Sequence, residues 1–193
     1  MTSSPTIART PVNLSKAALR KTLLAARLNL TEDQRRRWDG AIRAGVMAWW
    51  QATRPATLGV YWPLRGEPDL HPAYAELAAL GVHLALPVVQ EKDAALLFAS
   101  WQPGEPMRQD AMGVAVPAQL HFVPCPQALL VPCLGVNPAR FRLGYGGGFY
   151  DRTLETTPRP ATLGVAYACM TAPFASDAHD IALDDIVTEA GLF

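Results

Sequence analysis

The spacing of hydrophobic residues changes once, part-way along the chain. In the first part, apolar positions recur at helical spacing. Residues 15–28 are predicted to form a helix with Leu19, Leu23 and Ala26 on its buried face. A second helix is predicted over residues 31–50, because a threonine followed three residues later by a glutamine forms a capping-box pattern at its start.

From residue 57 onward, short apolar runs bounded by Pro and Gly alternate with helical stretches. Such alternation predicts an α/β fold, with a single domain built on a mainly parallel sheet and helices on both faces in three α/β/α layers. Ligands bind at the carboxyl ends of the strands in such sheets. The predicted strands cover residues 57–62, 82–86, 94–99, 128–131, 161–167 and 181–188, the helices cover 72–80 and 149–155, and 102–113 is a loop or hairpin tip.

Composition narrows the class of protein. The chain has 193 residues, of which half are hydrophobic and 18% charged, and this balance indicates a globular fold. Its net charge is zero, which gives no support to a nucleic acid or an anionic membrane as partner. The sequence shows neither a signal peptide nor an apolar run near the ~18 residues of a membrane span, so a cytoplasmic protein is expected. Residues 1–12 are predicted to be a loose tail, and residues 13–193 the domain.

The charges are distributed unevenly. Basic residues crowd the N-terminal quarter, whereas the last twenty residues contain five acids and no Lys or Arg. Two interpretations stay open. Either the two ends meet and line one cleft, or they form separate solvated faces, which is the usual fate of charge runs.

Three cysteines, Cys125, Cys133 and Cys169, form no C-x-x-C pair. Their number is odd, and each lies among apolar residues or prolines. They are therefore predicted to be buried free thiols in a reducing compartment.

A glycine-rich segment at residues 142–152 is the strongest candidate for a ligand site. Four glycines in five positions let the backbone approach a ligand and present its N–H groups. Arg142 and Arg152 flank the glycines, and Asp151 follows them, which suits a phosphate-rich ligand carrying a divalent metal. The segment matches neither a Walker A loop nor a dinucleotide fingerprint, and a tight turn is the alternative.

Four other residues are candidates outside the glycine loop. Lys16 and Arg20 lie four residues apart on one face of the first helix, where they either bind phosphate or are solvated. Glu67 follows a predicted strand and either orients a substrate or is an exposed loop acid. Asp184, with its neighbour Asp185 as the alternative, either completes a metal site with Asp151 or belongs to an acidic turn.

These motifs together resemble the 5-formyltetrahydrofolate cyclo-ligase family, also called methenyltetrahydrofolate synthetases. The likeness covers residues 14–190. It rests on the glycine segment, on Lys16-x-x-Leu19-Arg20, on Glu67-Pro68-Asp69 and on residues 86–89 and 180–186 in the expected order. The sequence departs from the family pattern at four positions: Phe149 replaces a tyrosine, Leu70 a threonine, Val116 a glutamate and Asn137 an aspartate.

The resemblance implies ATP-dependent closure of 5-formyltetrahydrofolate, with or without a polyglutamate tail, to 5,10-methenyltetrahydrofolate, by a monomer. It implies catalytic roles for Arg20 and Glu67, and Mg²⁺ held by Asp151 and Asp184. The implied ATP contacts are Lys16, Arg20, Arg142, Leu143, Gly144, Tyr145, Gly146, Gly147, Gly148, Phe149 and Tyr150. The implied folate contacts are Glu67, Tyr145, Gly146, Gly147, Gly148 and Phe149.

Two other functions stay open at the level of sequence. One is a different enzyme on a related scaffold, such as a sugar-phosphate isomerase or an acyl-CoA transferase, for which no acid/base or nucleophilic signature is found. The other is a folate- or nucleotide-binding regulator without turnover.

Overall fold

The computed structural model describes residues 15–110 and 113–193, so the predicted tail over residues 1–12 lies outside the described residues. Two helices are followed by a strand, a helix, a run of strands over residues 83–143, a last α-helix and three further strands. The helices are Lys16–Leu28 (α1), Glu32–Thr53 (α2), His71–Ala79 (α3) and Phe149–Leu154 (α4). The strands are Thr57–Gly59 (β1), His83–Val88 (β2), Leu97–Trp101 (β3), Met107–Gln109 (β4), Ala115–Pro117 (β5), Phe122–Val123 (β6), Ala128–Pro132 (β7), Gly135–Val136 (β8), Arg142–Leu143 (β9), Ala161–Val165 (β10), Asp185–Thr188 (β11) and Gly191–Leu192 (β12).

The central sheet has the strand order β12-β11-β10-β7-β1-β2-β3-β6. Its middle five strands are parallel, which confirms the predicted mainly parallel α/β fold. The strands at its edges, β3, β6 and β12, pair antiparallel. The β7 strand is buried on both faces, and for this reason its sequence is a continuous apolar run.

β1 and β7 are parallel neighbours at which the strand order switches. From β1 the chain crosses through α3 to β2 on one side, and from β7 it crosses through α4 to β10 on the other. Because such crossovers are right-handed, α3 and α4 lie on opposite faces of the sheet. The carboxyl ends of β1 and β7 therefore open into the crevice where ligands bind in α/β sheets.

Local sequence explains how the two N-terminal helices begin. Ser15 caps α1, and its hydroxyl accepts a hydrogen bond from the Ala18 N–H at 3.3 Å. Thr31 and Gln34 form the predicted capping box at the start of α2. The buried face of α1 was only partly predicted: Leu19 and Leu23 are buried, but Ala26 is exposed and Arg27 takes its place in the core.

The cysteine prediction was partly wrong. All three cysteines are free, but only Cys133 is buried, while Cys125 and Cys169 are exposed. Burial raises the pKa of the Cys133 thiol to about 12, so this thiol stays protonated at neutral pH. Among the described residues, none of the helices is long and apolar enough to cross a membrane.

Candidate active site

A cavity of about 690 Å³ lies beyond the carboxyl ends of β1 and β7. This volume is within the usual range for small-molecule sites. It contains most of the residues that the sequence singled out. Its polar and glycine lining consists of Lys16, Arg20, Glu67, Asp110, Arg142, Gly144, Tyr145, Gly146, Gly147, Gly148, Tyr150, Asp151, Asp177 and Asp180.

The glycine loop connects β9 to α4 along one wall of this cavity. Gly146 and Gly148 have φ angles of 99° and 65°, which side-chain-bearing residues rarely adopt. Within the described residues, no hydrogen bond has the N–H of Gly146, Gly147 or Gly148 as its donor. These three consecutive donors are therefore available to a ligand, as an anion-binding backbone requires.

The cations predicted from sequence lie against this loop. Arg20 donates from Nε to the Gly144 carbonyl at 2.8 Å, and its guanidinium carbon lies 3.6 Å from the position of a Cβ on Gly146. The Arg142 guanidinium fills the space that a side chain at Gly144 would need. Glycine at position 144 thus allows Arg142 to approach the backbone closely, whereas Gly146 is required by its φ angle.

Lys16 joins the two ends of the chain. Its Nζ lies 2.7 Å from Asp177 Oδ2 and 2.6 Å from Asp180 Oδ2. Burial alone would lower the pKa of Lys16, but the hydrogen bonds to the two acids outweigh it and raise the pKa. The basic and acidic ends of the chain therefore meet in one cleft, the less usual of the two interpretations left open by the sequence.

The two predicted metal ligands are not brought together. Asp151 lines the cavity, where Arg142 Nη2 donates to its Oδ2 at 2.9 Å. Asp184 instead accepts hydrogen bonds at 2.8 Å from the N–H and hydroxyl of Thr162, at the amino end of β10. Because the cavity lies at the carboxyl ends of the strands, Asp184 is placed away from it. Its neighbour Arg159 also pairs with it, at 3.3 Å.

The lining of the cavity is compatible with a magnesium ion bound to phosphates. In the described part of the chain, no group of three or more His, Cys, Asp or Glu residues is arranged to hold a metal. Mg²⁺ bound to phosphates needs only one or two protein carboxylates. Asp151 meets that requirement, since it lines the cavity beside the glycine loop.

Glu67 is buried in the loop after β1, next to Tyr145 of the glycine loop. Its Oε2 accepts a hydrogen bond from the Leu64 N–H at 2.9 Å, and its Oε1 accepts one from the Tyr145 hydroxyl at 2.9 Å. Burial raises the pKa of Glu67, and these two hydrogen bonds and the nearby Arg27 oppose the increase. The Glu67 side chain is thus held in one orientation, and it is a buried acceptor of hydrogen bonds or protons rather than an exposed loop acid.

The rest of the cavity wall is apolar. It is lined by residues from the loops around the carboxyl ends of β1 and β2 and by the first residue of α4, and these supply flat and aliphatic surfaces. Such a surface suits an aromatic ring system, whereas the glycine loop suits phosphates. The apolar lining residues are Tyr61, Trp62, Leu64, Pro87, Val89, Leu96, Pro132, Val114 and Phe149.

The remaining residues of the glycine segment shape the loop. Leu143 is buried in the core as part of β9. The Tyr150 ring lies 5.0 Å from the guanidinium carbon of Arg142. Arg152, which the sequence suggested as a phosphate ligand, donates to the Gly147 carbonyl and to the Ala94 carbonyl, so it supports the loop from outside the cavity.

Sequence reasoning missed Arg27, Asp177 and Asp180. Arg27 occupies the apolar stripe of α1 at i+4 from Leu23, and a charged residue at such a position is the signal that would have identified it. Asp177 and Asp180 lie in an irregular segment where no periodicity distinguishes them from the other C-terminal acids.

Comparison with known proteins places this site in a family. A family model described as the 5-formyltetrahydrofolate cyclo-ligase family matches residues 12–189. Two curated relatives with the name 5-formyltetrahydrofolate cyclo-ligase come from Mycoplasma pneumoniae and Mycolicibacterium smegmatis. The first is 25% identical over 181 residues, covering 91% of this chain and 99% of the relative. The second is 28% identical over 185 residues, covering 90% and 93%.

Solved structures agree with the sequence match. The 5,10-methenyltetrahydrofolate synthetase of Aquifex aeolicus superimposes with a TM-score of 0.80 at 28% identity, covering 93% of this chain and 92% of that one. The Mycoplasma pneumoniae synthetase has the same fold, with a TM-score of 0.77 at 24% identity over 91% and 99% of the two chains. The match of the family model over nearly the whole chain shows that the protein belongs to the 5-formyltetrahydrofolate cyclo-ligase family.

Proposed function

We propose that the protein catalyses the ATP-dependent cyclisation of 5-formyltetrahydrofolate to 5,10-methenyltetrahydrofolate, with release of ADP and phosphate. One observation carries this proposal beyond family membership: a single cavity is lined by a glycine loop, three cations, a buried carboxylate and apolar surfaces. The glycine loop and the cations suit nucleotide phosphates, and the carboxylate and the apolar surfaces suit a folate ring system.

The chemistry requires activation of a formamide oxygen, which is a poor leaving group. In the proposed reaction the bond between the γ-phosphorus and ADP breaks, and a bond from that phosphorus to the formyl oxygen forms. The N5 lone pair then makes the carbon an iminium phosphate. N10 attacks this carbon, the carbon–oxygen bond breaks, phosphate leaves and N10 loses its proton.

Each residue is assigned a role in this reaction from its position around the cavity. Lys16, Arg20 and Arg142 with the glycine-loop N–H groups hold the phosphates, and Arg20 lies nearest the phosphoryl group in transfer. Catalysis of such a transfer is mainly positioning and charge stabilisation. Glu67 contacts the pterin and formyl end, where a carboxylate accepts the proton that N10 loses. Mg²⁺, held by Asp151 and the phosphates, would neutralise charge on the transferred group.

The test is formation of the methenyl chromophore by the purified protein with 5-formyltetrahydrofolate, ATP and Mg²⁺, with each component omitted in turn. Product is expected only when all three are present. Turnover of a sugar phosphate without ATP would favour an isomerase, and ligand binding without methenyl product would favour a regulator. Folded protein that gives no product with all three present would contradict the proposal.

The enzyme is expected to act as a monomer, because one chain supplies every element of the cavity described above. Sedimentation velocity at working concentration measures this directly. Activity that rises more steeply than protein concentration would show instead that a second copy is required.

A further inference from the structure

Arg27 is a fully buried arginine beneath the glycine loop, next to the cavity but not among the residues that line it. It lies on the apolar face of α1 with Leu19 and Leu23. A buried charge is costly unless it is paired and hydrogen-bonded, and a hydrophobic residue would fill this place at lower cost. The presence of a positive charge at this position is therefore best explained by the groups that the Arg27 guanidinium contacts.

The Arg27 guanidinium contacts the segments that follow β1 and β7, the two neighbouring strands at which the strand order switches. Nε donates to the Arg65 carbonyl at 3.1 Å, in the loop after β1. Nη1 donates to the Cys133 carbonyl at 3.5 Å, directly after β7. Nη2 donates to the Tyr145 hydroxyl in the glycine loop and lies 3.9 Å from Glu67 Oε1. Arg27 thus connects the segments that carry the phosphate-binding and carboxylate walls.

The direction of each hydrogen bond follows from the chemistry of the guanidinium, which has only donors. The Tyr145 oxygen must accept from Arg27, so the hydroxyl proton is directed at Glu67 Oε1. The other oxygen of Glu67 accepts from the Leu64 N–H. Both carboxylate oxygens are therefore oriented by donors, and this arrangement favours the charged form of Glu67.

We propose that Arg27 is a positioning residue for the cyclisation, which holds the Tyr145 hydroxyl as a donor to Glu67 and so fixes the cavity carboxylate relative to the glycine loop. This inference rests on the proposed function. Arg27 acts through Tyr145 and Glu67 and need not touch either substrate. Its role is to keep the carboxylate ionised and correctly placed when the glycine loop carries the nucleotide.

The surroundings of Glu67 determine how its ionisation responds to mutation. Burial raises the pKa of Glu67, while the Leu64 N–H, Arg27, Tyr145 and Arg65 lower it. Removal of Arg27 or of the Tyr145 hydroxyl therefore raises this pKa further. The titratable groups that face Glu67 are Arg27 from α1, Arg65 and Tyr61 after β1, Tyr74 from α3, Cys133 after β7, Tyr145 from the glycine loop and Tyr150 from α4.

The experiment compares wild type with Arg27→Met, Tyr145→Phe, the double variant and the control Arg36→Met. Arg36 is an exposed arginine of α2 whose ion-pair partners in the described part of the chain are Glu32 and Asp33 of its own helix. Steady-state kinetics for folate and ATP are measured across pH. Arg27→Met and Tyr145→Phe are each expected to lower kcat roughly ten- to a hundredfold, the loss that follows from removing a hydrogen bond to a charged group. In both, the acid limb of the pH profile moves to higher pH.

The double variant shows whether Arg27 and Tyr145 affect kcat through the same interaction or independently of each other. If Arg27 acts through Tyr145, the double variant loses little more kcat than Arg27→Met alone. Tyr145→Phe removes one hydroxyl from a side chain that is 43% exposed, so this variant keeps its fold. If Arg27→Met does not fold, an unchanged kcat and acid limb in Tyr145→Phe still overturn the inference.

Each outcome has a defined meaning. Wild-type kcat and an unmoved acid limb in Tyr145→Phe, with an active wild-type enzyme, would overturn the inference while leaving the proposed function intact. A loss of thermal stability in Arg27→Met with unchanged kcat per folded molecule would show a purely structural arginine. A wild-type protein that makes no methenyl product would overturn the proposed function, and this inference with it. Arg36→Met is expected to match wild type in every measurement.

Discussion

At the scale of single residues, cations and carboxylates around the cavity form pairs. Lys16 pairs with Asp177 and Asp180, and Arg142 pairs with Asp151. A phosphate that enters must compete with these acids for the same donors. The pairs hold the cationic side chains in place and so reduce the conformational cost of binding.

Replacement of Lys16 by methionine tests whether Lys16 contacts the phosphates of ATP. Lys16→Met is expected to raise the KM for ATP roughly tenfold, because one charge-assisted contact is lost. The KM for folate should change much less. Lys21→Met, an exposed lysine on the same helix, is the matched control. Equal KM values for ATP in the two variants would contradict a phosphate contact for Lys16.

Replacement of Asp151 by asparagine tests the proposed magnesium ligand. Asp151→Asn keeps the size of the side chain but removes its charge, so ATP-dependent turnover is expected to fall at least about a hundredfold while the fold persists. Added Mg²⁺ should recover part of the activity. Asp33→Asn, at an exposed position in α2, is the control. Full activity of Asp151→Asn at low Mg²⁺ would exclude this ligand.

Asp184 and Arg27 show what sequence alone leaves open at this scale. Asp184 and Asp185 follow the acidic segment, and their types suit a metal, but Asp184 is used to hold Thr162 at the start of β10. Arg27 has a residue type typical of the surface, yet its position in the helical period is buried. At both positions the residue type alone suggests a different place from the one observed. Only the tertiary contacts determine where each side chain lies.

At the scale of elements, the turn from the glycine loop into α4 depends on backbone conformation. Gly148 is the N-cap of α4 at a φ of 65°, and a Cβ there would lie 2.9 Å from Arg152 Nη1. An L-residue in this conformation costs roughly 1–2 kcal/mol. The turn that aligns three successive N–H groups is therefore specified by glycine.

Two glycine-to-alanine changes separate this requirement from ordinary helix propensity. Gly148→Ala is expected to lower the free energy of unfolding by about 1–2 kcal/mol and to reduce activity further, because the loop must shift. Gly40→Ala, in the interior of α2 where a Cβ meets nothing within 4 Å, should increase stability by about 0.5–1 kcal/mol. Denaturant unfolding measures both. A stabilising Gly148→Ala would contradict the strained turn.

Sequence predicted the long elements better than the short ones. The capping box at Thr31 and the apolar run of β7 have strong local signals, and both were predicted at nearly their observed limits. The strands β6, β8, β9 and β12 have two residues each and were not predicted. Periodicity cannot be read over two residues, and these strands form because tertiary pairing brings their partners close.

At the scale of the whole molecule, stability depends on a half-buried acid as well as on the core. Asp39 of α2 accepts a hydrogen bond from the Tyr167 hydroxyl at 2.7 Å. Burial raises the pKa of Asp39 above its ordinary value of 3.8, although the hydrogen bonds oppose this. The folded state therefore favours the protonated acid. This contribution is complete below the unfolded pKa and is lost as the pH rises through the folded pKa.

Replacement of Asp39 by asparagine should remove that pH dependence. Asparagine keeps an acceptor for Tyr167 without a charge, so the unfolding free energy of Asp39→Asn should increase relative to wild type as the pH rises from below 3.8 through the folded-state pKa of Asp39. Denaturant titrations at several pH values measure the difference. A constant difference over this interval would show that Asp39 has the same pKa in both states. Asp33→Asn, on the surface, should show no such trend.

The ion pairs of Lys16 also bear on the order of events during synthesis. Their partners lie 161 and 164 residues further along the chain. A ribosome must therefore release nearly the entire polypeptide before Lys16 meets Asp177 and Asp180. The wall that we propose to receive the phosphates is among the last parts to be completed, so a shortened translation product retains the glycine loop but lacks the finished cavity.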